Sequence, residues 1–149
     1  MTGREVIGIT MGDAAGIGPE ITIKALTKEE IYEICKPVVI GDAKVLEQAI
    51  KITNADIKVN IIDSPSEGKY ELGKVDVIDL KNIDIDRLEF GKISAQCGRA
   101  SFDYIKKAVE LAKKGEAKAI ATAPINKESL KAANIPFIGH TEMLGELTG

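Results

Sequence analysis

Short runs of β-branched residues alternate with longer stretches of helical periodicity along the whole chain, and few folds accommodate that alternation. Val6 to Thr10 has the pattern of a buried strand, followed by a glycine-rich turn. Pro19 is suited to the first position of a helix, because its missing N–H would be unpaired there anyway. The apolar spacing Ile21, Ala25, Leu26 carries that helix toward Ile34. Pro37 to Ile40 predicts a second strand. Asp42 is placed to cap a helix whose Val45, Leu46, Ala49 and Ile50 share one face. Ile57 to Ile62 and Val75 to Leu80 alternate like strands, separated by a polar loop over Asp63 to Gly73. Gly98 to Gly115 predicts the strongest helix, with Phe102, Ile105, Val109 and Ala112 on one side and Gly115 as a left-handed cap. Lys118 to Thr122 predicts another buried strand, Lys127 to Ala133 a short helix, and a further helical stretch begins near Thr141. Strands joined through helices pair in parallel, so the class is α/β, an open sheet with helices on both faces.

At 149 residues the chain can bury a core without staples, and 44% apolar with 29% charged residues describes a globular protein. The net charge of −3 and the scatter of 20 basic residues among 23 acids argue against a nucleic-acid partner. Cys35 and Cys97 lie far apart with no CxxC spacing, which predicts two unpaired thiols in a reducing compartment. Arg4 and Glu5 precede an apolar run that soon meets Asp13, unlike a secretory leader. No window approaches the ~18 apolar residues of a membrane helix, so a membrane is not an expected partner and a cytoplasmic location is expected.

The turn Met11-Gly12-Asp13-Ala14-Ala15-Gly16-Ile17-Gly18-Pro19-Glu20 follows the first strand, where α/β proteins place ligands. It lacks the GK[ST] of a Walker loop, and a GxGxxG pattern started at Gly16 fails at Ile21. Pro19 removes an N–H donor and Glu20 adds a carboxylate to the first turn, so an anion is poorly served. Two readings stay open. The segment is a tight turn needing positive φ at its glycines, or the wall of a cleft in which Asp13 accepts hydroxyl hydrogen bonds.

Two further segments carry polar groups at sharp turns. In Thr122-Ala123-Pro124-Ile125-Asn126-Lys127, Pro124 forces Ala123 out of the helical region and Asn126 can cap the next helix. Lys127 is then either a solvated lysine or an ammonium held at a strand's carboxyl end. Ile135-Pro136-Phe137-Ile138-Gly139 leads to His140, the only histidine, with Thr141 a candidate cap and Glu142 beside it. His140 is either a packed or surface residue or, with Thr141, a grip on a polar substrate group.

The three segments resemble, in order, the signatures of the PdxA family. The first is similar to the family's glycine-rich opening, with Ala14 where the family usually has Pro. The second resembles its Thr-Ala-Pro…Lys turn, and the third its Gly-His-Thr-Glu motif, with a weaker Gly91-Lys92…Ala95…Gly98 pattern between. The resemblance runs from Val6 to Leu147 and implies an isocitrate/isopropylmalate dehydrogenase-like fold. This chain is then the amino-terminal portion of a two-domain enzyme, with residues 1–125 in the first domain and 126–149 opening the second.

The implied reaction is NAD-dependent oxidation of a small phosphorylated hydroxy acid, followed by decarboxylation and assisted by a divalent metal. The substrate would be 4-phosphohydroxythreonine, 4-phosphothreonate or 4-phosphoerythronate, with a lean toward the last two. The resemblance makes His140 and Thr141 substrate-binding, and Asp13 and Lys127 lesser cleft residues. Metal ligands, the catalytic lysine and most NAD contacts are expected beyond Gly149, and the assembly is expected to be a homodimer. By itself the chain is then expected to be inactive. A phosphotransacetylase-like acyltransferase and a non-catalytic binding domain are the alternatives.

Overall fold

The computed structural model describes residues 3–137 and 139–149, so Ile138 of the approach to His140 lies outside the described residues. Among the described residues, five strands and six helices follow in the order β1 (Glu5–Thr10), α1 (Gly18–Ala25), α2 (Glu29–Ile34), β2 (Cys35–Gly41), α3 (Ala43–Thr53), β3 (Lys58–Ile62), β4 (Lys74–Asp79), α4 (Ala95–Lys113), β5 (Ala119–Thr122), α5 (Lys127–Ala132) and α6 (His140–Thr148). The strands form one sheet in the order β3-β4-β2-β1-β5. Every adjacent pair is parallel. Connections from β1 to β2 and from β2 to β3 run in one direction across the sheet, and the connection from β4 to β5 runs in the other. Right-handed crossovers therefore put α1 to α3 on one face and α4 on the opposite face.

Buried on both faces, β2 and β4 have lost the alternation of a half-exposed strand: Val38, Val39, Ile40, Val75, Val77 and Ile78 all lie in the core. Helix α3 forms as its spacing predicts. Asp42 Oδ1 accepts from the Lys44 and Val45 amides at 2.9 and 3.2 Å, and Val45, Leu46 and Ala49 are buried. Gly115 takes φ +78° behind α4, the left-handed cap expected there.

Four expectations are corrected. The helix expected from Pro19 to Ile34 is two helices. Thr27 turns its hydroxyl onto the Lys24 carbonyl at 2.7 Å, and Lys28 is extended, which ends α1 and restarts the chain as α2. Helix α4 begins at Ala95, three residues before Gly98, because Ser94 Oγ accepts from the Cys97 amide.

The third correction concerns which side of α4 faces the sheet. Cys97, Ala100, Tyr104, Ala108 and Leu111 pack into the main core, while Ile105 and Val109 join Leu130, Ile135 and Met143 in a second cluster under α5 and α6. The stripe read from the sequence is the outer one. Finally, β5 is not buried: Ala119, Ala121 and Thr122 are exposed. It pairs with β1 alone, and its other edge has no strand beside it among the described residues.

Candidate functional site

The sheet has its topological switch point between β1 and β5, where connections leave in opposite directions. Crevices at such points, outside the carboxyl ends of strands, are where open α/β sheets bind ligands. The glycine-rich turn leaves β1 there and the Thr122–Lys127 turn leaves β5 beside it. Register pairs Thr10 with Thr122 at the ends of the two strands.

Glycines let the turns interlock. The Asp13 amide donates to the Pro124 carbonyl at 2.9 Å. Gly12, at φ +78°, faces that same carbonyl so closely that any Cβ would collide with it. Gly18 seats the Met11 carbonyl in the same way without needing positive φ. The expectation of positive φ at the turn's glycines therefore holds at Gly12 alone. At Gly16 and Gly18 the backbone is ordinary, and at Gly18 close approach is the constraint.

Asp13 is 7% exposed, and its Oδ1 accepts from the Ala15 amide at 3.0 Å. Burial pushes its carboxyl above the ordinary carboxylate range, opposed by the Ala15 amide and the Cys97 thiol. Burial likewise pushes up the thiol of Cys97, which is fully enclosed. Both cysteines are free thiols, as expected. No ion pair among the described residues includes Asp13.

Lys127 is the first residue of α5 and is exposed, with Asn126 Oδ1 capping the helix through the Ser129 amide at 2.9 Å. Its Cε passes 3.8 Å from where a Cβ on Gly139 would stand, which brings Lys127 to the residue preceding His140. His140 opens α6, half-buried, and its Nε2 is enclosed without a hydrogen-bond partner among the described residues. Burial lowers its pKa and favours the neutral imidazole. Thr141 is exposed at the second helical position. Gly139 stands at the N-cap, so Thr141 is not the cap.

A family model described as pyridoxal phosphate biosynthetic protein PdxA matches residues 33–149. The chain belongs to the PdxA family. It is 55% identical over 145 residues to a Clostridium botulinum (strain Hall) protein provisionally named D-threonate 4-phosphate dehydrogenase, covering 97% of this chain and 43% of that protein. A crystal structure of a 4-hydroxythreonine-4-phosphate dehydrogenase from Burkholderia phymatum matches with TM-score 0.95 at 52% identity, over 98% of this chain and 44% of that one. The corresponding Klebsiella pneumoniae structure matches with TM-score 0.91 at 41% identity, over 97% of this chain and 44% of that one. The chain thus spans less than half the length of these PdxA relatives.

Three features of this PdxA chain escape the sequence. Cys97 reads there as an ordinary thiol, yet it closes over Asp13 because α4 starts early. Ser129 is marked there only as part of a short helix, but it is 1% exposed and its Oγ accepts from the Ser94 amide at 3.0 Å. Gly98 reads as a helix start; in the fold it lies against the Ser129 carbonyl. The Gly91…Gly98 spacing is the one signal that points to it. Among the described residues no group of three or more His, Cys, Asp or Glu is placed to hold a metal ion, so the residues present do not form a metal site. No helix among them is long and apolar enough to cross a membrane.

Proposed function

We propose that this chain is the substrate-gripping amino-terminal portion of an NAD-dependent dehydrogenase acting on a small phosphorylated hydroxy acid such as D-threonate 4-phosphate. The observation that supports this most is the contact between successive PdxA motifs, the glycine-rich turn with the Pro124 turn and Lys127 with Gly139. Lys127 is brought beside Gly139, and His140 holds an enclosed imidazole nitrogen with no partner among the described residues. A buried polar atom left unpaired in a native fold calls for a bonding partner, and a substrate oxygen or amine would supply it.

In this reading residues 1–125 belong to the first domain and 126–149 open the second. The outer edge of β5, with no strand beside it among the described residues, supports further sheet being added there. So does the apolar groove of about 240 Å3 beside it, lined by Ile9, Ile21, Ala25, Leu26 and Ala121. NAD would accept the hydride and a divalent metal would polarise the substrate hydroxyl; their contacts belong to chain outside these residues, as does the rest of the expected homodimer. The work of this chain is to bind and orient. Neutral His140 and the Thr141 hydroxyl hold polar substrate groups, the Lys127 ammonium meets negative charge, and Asp13 accepts from a hydroxyl at the cleft wall.

Because His140 is the only histidine, its ring resonances report the site directly. Adding D-threonate 4-phosphate should shift them saturably, and His140→Ala should weaken binding about ten- to a hundredfold with little change in melting temperature, as hydrogen bonds to a charged ligand are worth ~1.5–3 kcal/mol. Unchanged resonances at millimolar ligand would overturn the reading. NAD added to the chain alone should give no NADH.

A further inference from the structure

Helix α5 has only six residues and would not hold its own position in water. Two contacts with other motifs hold it. Upstream, the Pro124 carbonyl is locked against Gly12 and the Asp13 amide. Downstream, the Ser129 carbonyl lies against the Cα of Gly98, where a Cβ would also press on the Ser129 carbonyl carbon and the Leu130 nitrogen. Ser129 uses its side chain as well, accepting from the Ser94 amide at 3.0 Å, while its own amide is held by Asn126. Lys127 sits between the two contacts. Beyond it, α5 and α6 both pack on α4, Leu130 and Met143 share the second cluster, and Lys127 Cε reaches Gly139, the residue before His140.

We propose that Gly98 and Ser129 are positioning residues, which seat α5 on the first turns of α4 and thereby set where Lys127 and His140 stand at the cleft. The proposal deepens the functional reading above, since it matters for catalysis only if those two side chains meet substrate. Neither positioning residue touches the ligand. The glycine is demanded by approach of another backbone, not by helix geometry, since Ala is the better helix former.

The test uses the 149-residue chain and the His140 ring as an internal probe. Gly98→Ala should keep the far-UV helical spectrum but melt lower, because its Cβ drives the Ser129 backbone away and the better helix propensity of Ala offsets only part of that. It should move the His140 ring resonances and raise their titration midpoint toward the ordinary ~6.5, as displacement of α5 and α6 lets water reach the imidazole. Ser129→Ala should produce a smaller shift in the same direction. Gly145→Ala, at a helical glycine with nothing within 4 Å of its Cβ position, is the matched control and should leave the midpoint in place.

If His140 is unmoved in Gly98→Ala, or moves as much in Gly145→Ala, the proposal fails. If Gly98→Ala does not fold, Ser129→Ala decides alone, and an unmoved His140 there overturns it. A second arm measures D-threonate 4-phosphate affinity. Gly98→Ala should weaken it about tenfold, since small misplacements of a binding group have effects up to about a hundredfold. In a background lacking both side chains, Lys127→Ala with His140→Ala, the same change should do almost nothing further. Should the parent chain bind no ligand, the functional reading fails while the His140 arm still decides the geometry.

Discussion

The amino end of the sheet and the segments that follow β1 and β5 use their polar groups differently. Near the amino ends of the strands Asp76, 1% exposed, has both carboxylate oxygens occupied: Asn60 Nδ2 donates at 2.7 Å, the Tyr70 amide at 2.8 Å and the Lys69 amide at 3.0 Å. Arg4 donates to the Tyr32 and Tyr70 carbonyls at 2.9 and 3.1 Å, and the Tyr32 hydroxyl to the Leu26 carbonyl at 2.8 Å. Burial pushes both phenols up to about 12, so they stay protonated donors throughout the physiological range. Tyr70 even holds φ +52° within this network, a conformation that a bulky residue keeps only when its surroundings fix it. The segments that follow the carboxyl ends of β1 and β5 are different. Thr10 Oγ1 and His140 Nε2 are enclosed without partners among the described residues, and Asp13 is a buried carboxyl in no ion pair there. Groups at the first end are committed to the fold, and groups at the second are left for something the fold does not supply.

The largest expected effect follows from the closed end. Asp76→Ala leaves three buried or half-buried donors unpaired. Stability should fall by about 3 kcal/mol or more, at ~1–3 kcal/mol for each donor stranded. Asp76→Asn, which retains one good acceptor, should fall between that variant and the parent. Urea unfolding followed by circular dichroism measures both. A loss below about 1 kcal/mol for Asp76→Ala would mean the amino end is no better satisfied than the carboxyl end, and the comparison would collapse.

Much of this is legible from residue order. Strand and helix alternation gives the parallel sheet, Asp42 and Asn126 cap the helices they precede, and the glycine-rich turn and the Thr122–Lys127 turn end up adjacent. What stays hidden depends on long-range contact. Helix α4 has two buried stripes, and one sequence period cannot say which faces the sheet. The exposure of β5 depends on what lies beside it, and a run of Ala and Ile looks the same at an edge as in the middle. Asp76 has no motif at all, because its partners are mostly backbone amides of a loop that any sequence carries.

A smaller effect of opposite sign is expected at the open end. The Asp13 carboxyl is raised by burial, so between its ordinary value near 3.9 and its folded value the folded chain binds more protons than the unfolded one. Stability therefore declines as pH rises through that window, and the ionised group destabilises the fold above it. Asp13→Asn keeps an oxygen for the Ala15 amide and removes the charge. It should stabilise the chain near neutrality by roughly 0.5–2 kcal/mol, the usual range where a functional group is relieved. The gain should vanish at about pH 3, where both states of the parent are protonated. A variant less stable than the parent at neutral pH would show that the charge is satisfied after all.

The smallest effect is expected at Thr10, whose hydroxyl is enclosed at the end of β1 with no partner among the described residues. A buried hydroxyl without a hydrogen bond is a penalty of ~1–3 kcal/mol on mutational scales, partly recovered by packing of its methyl and methine carbons. Val has nearly the same shape, suits a strand at least as well, and carries no group to strand. Thr10→Val should therefore be neutral or more stable by up to about 1 kcal/mol, with an unchanged denaturant slope since the buried surface is the same. Thr22 and Ser101 are also buried hydroxyl residues, but the Ser101 hydroxyl donates to the Cys97 carbonyl at 2.9 Å. Ser101→Ala accordingly should lose about 1 kcal/mol, which makes it the matched counter-example on α4. If Thr10→Val lost as much as Ser101→Ala, Thr10 would have a partner in solution, and the carboxyl end would be as closed as the amino end.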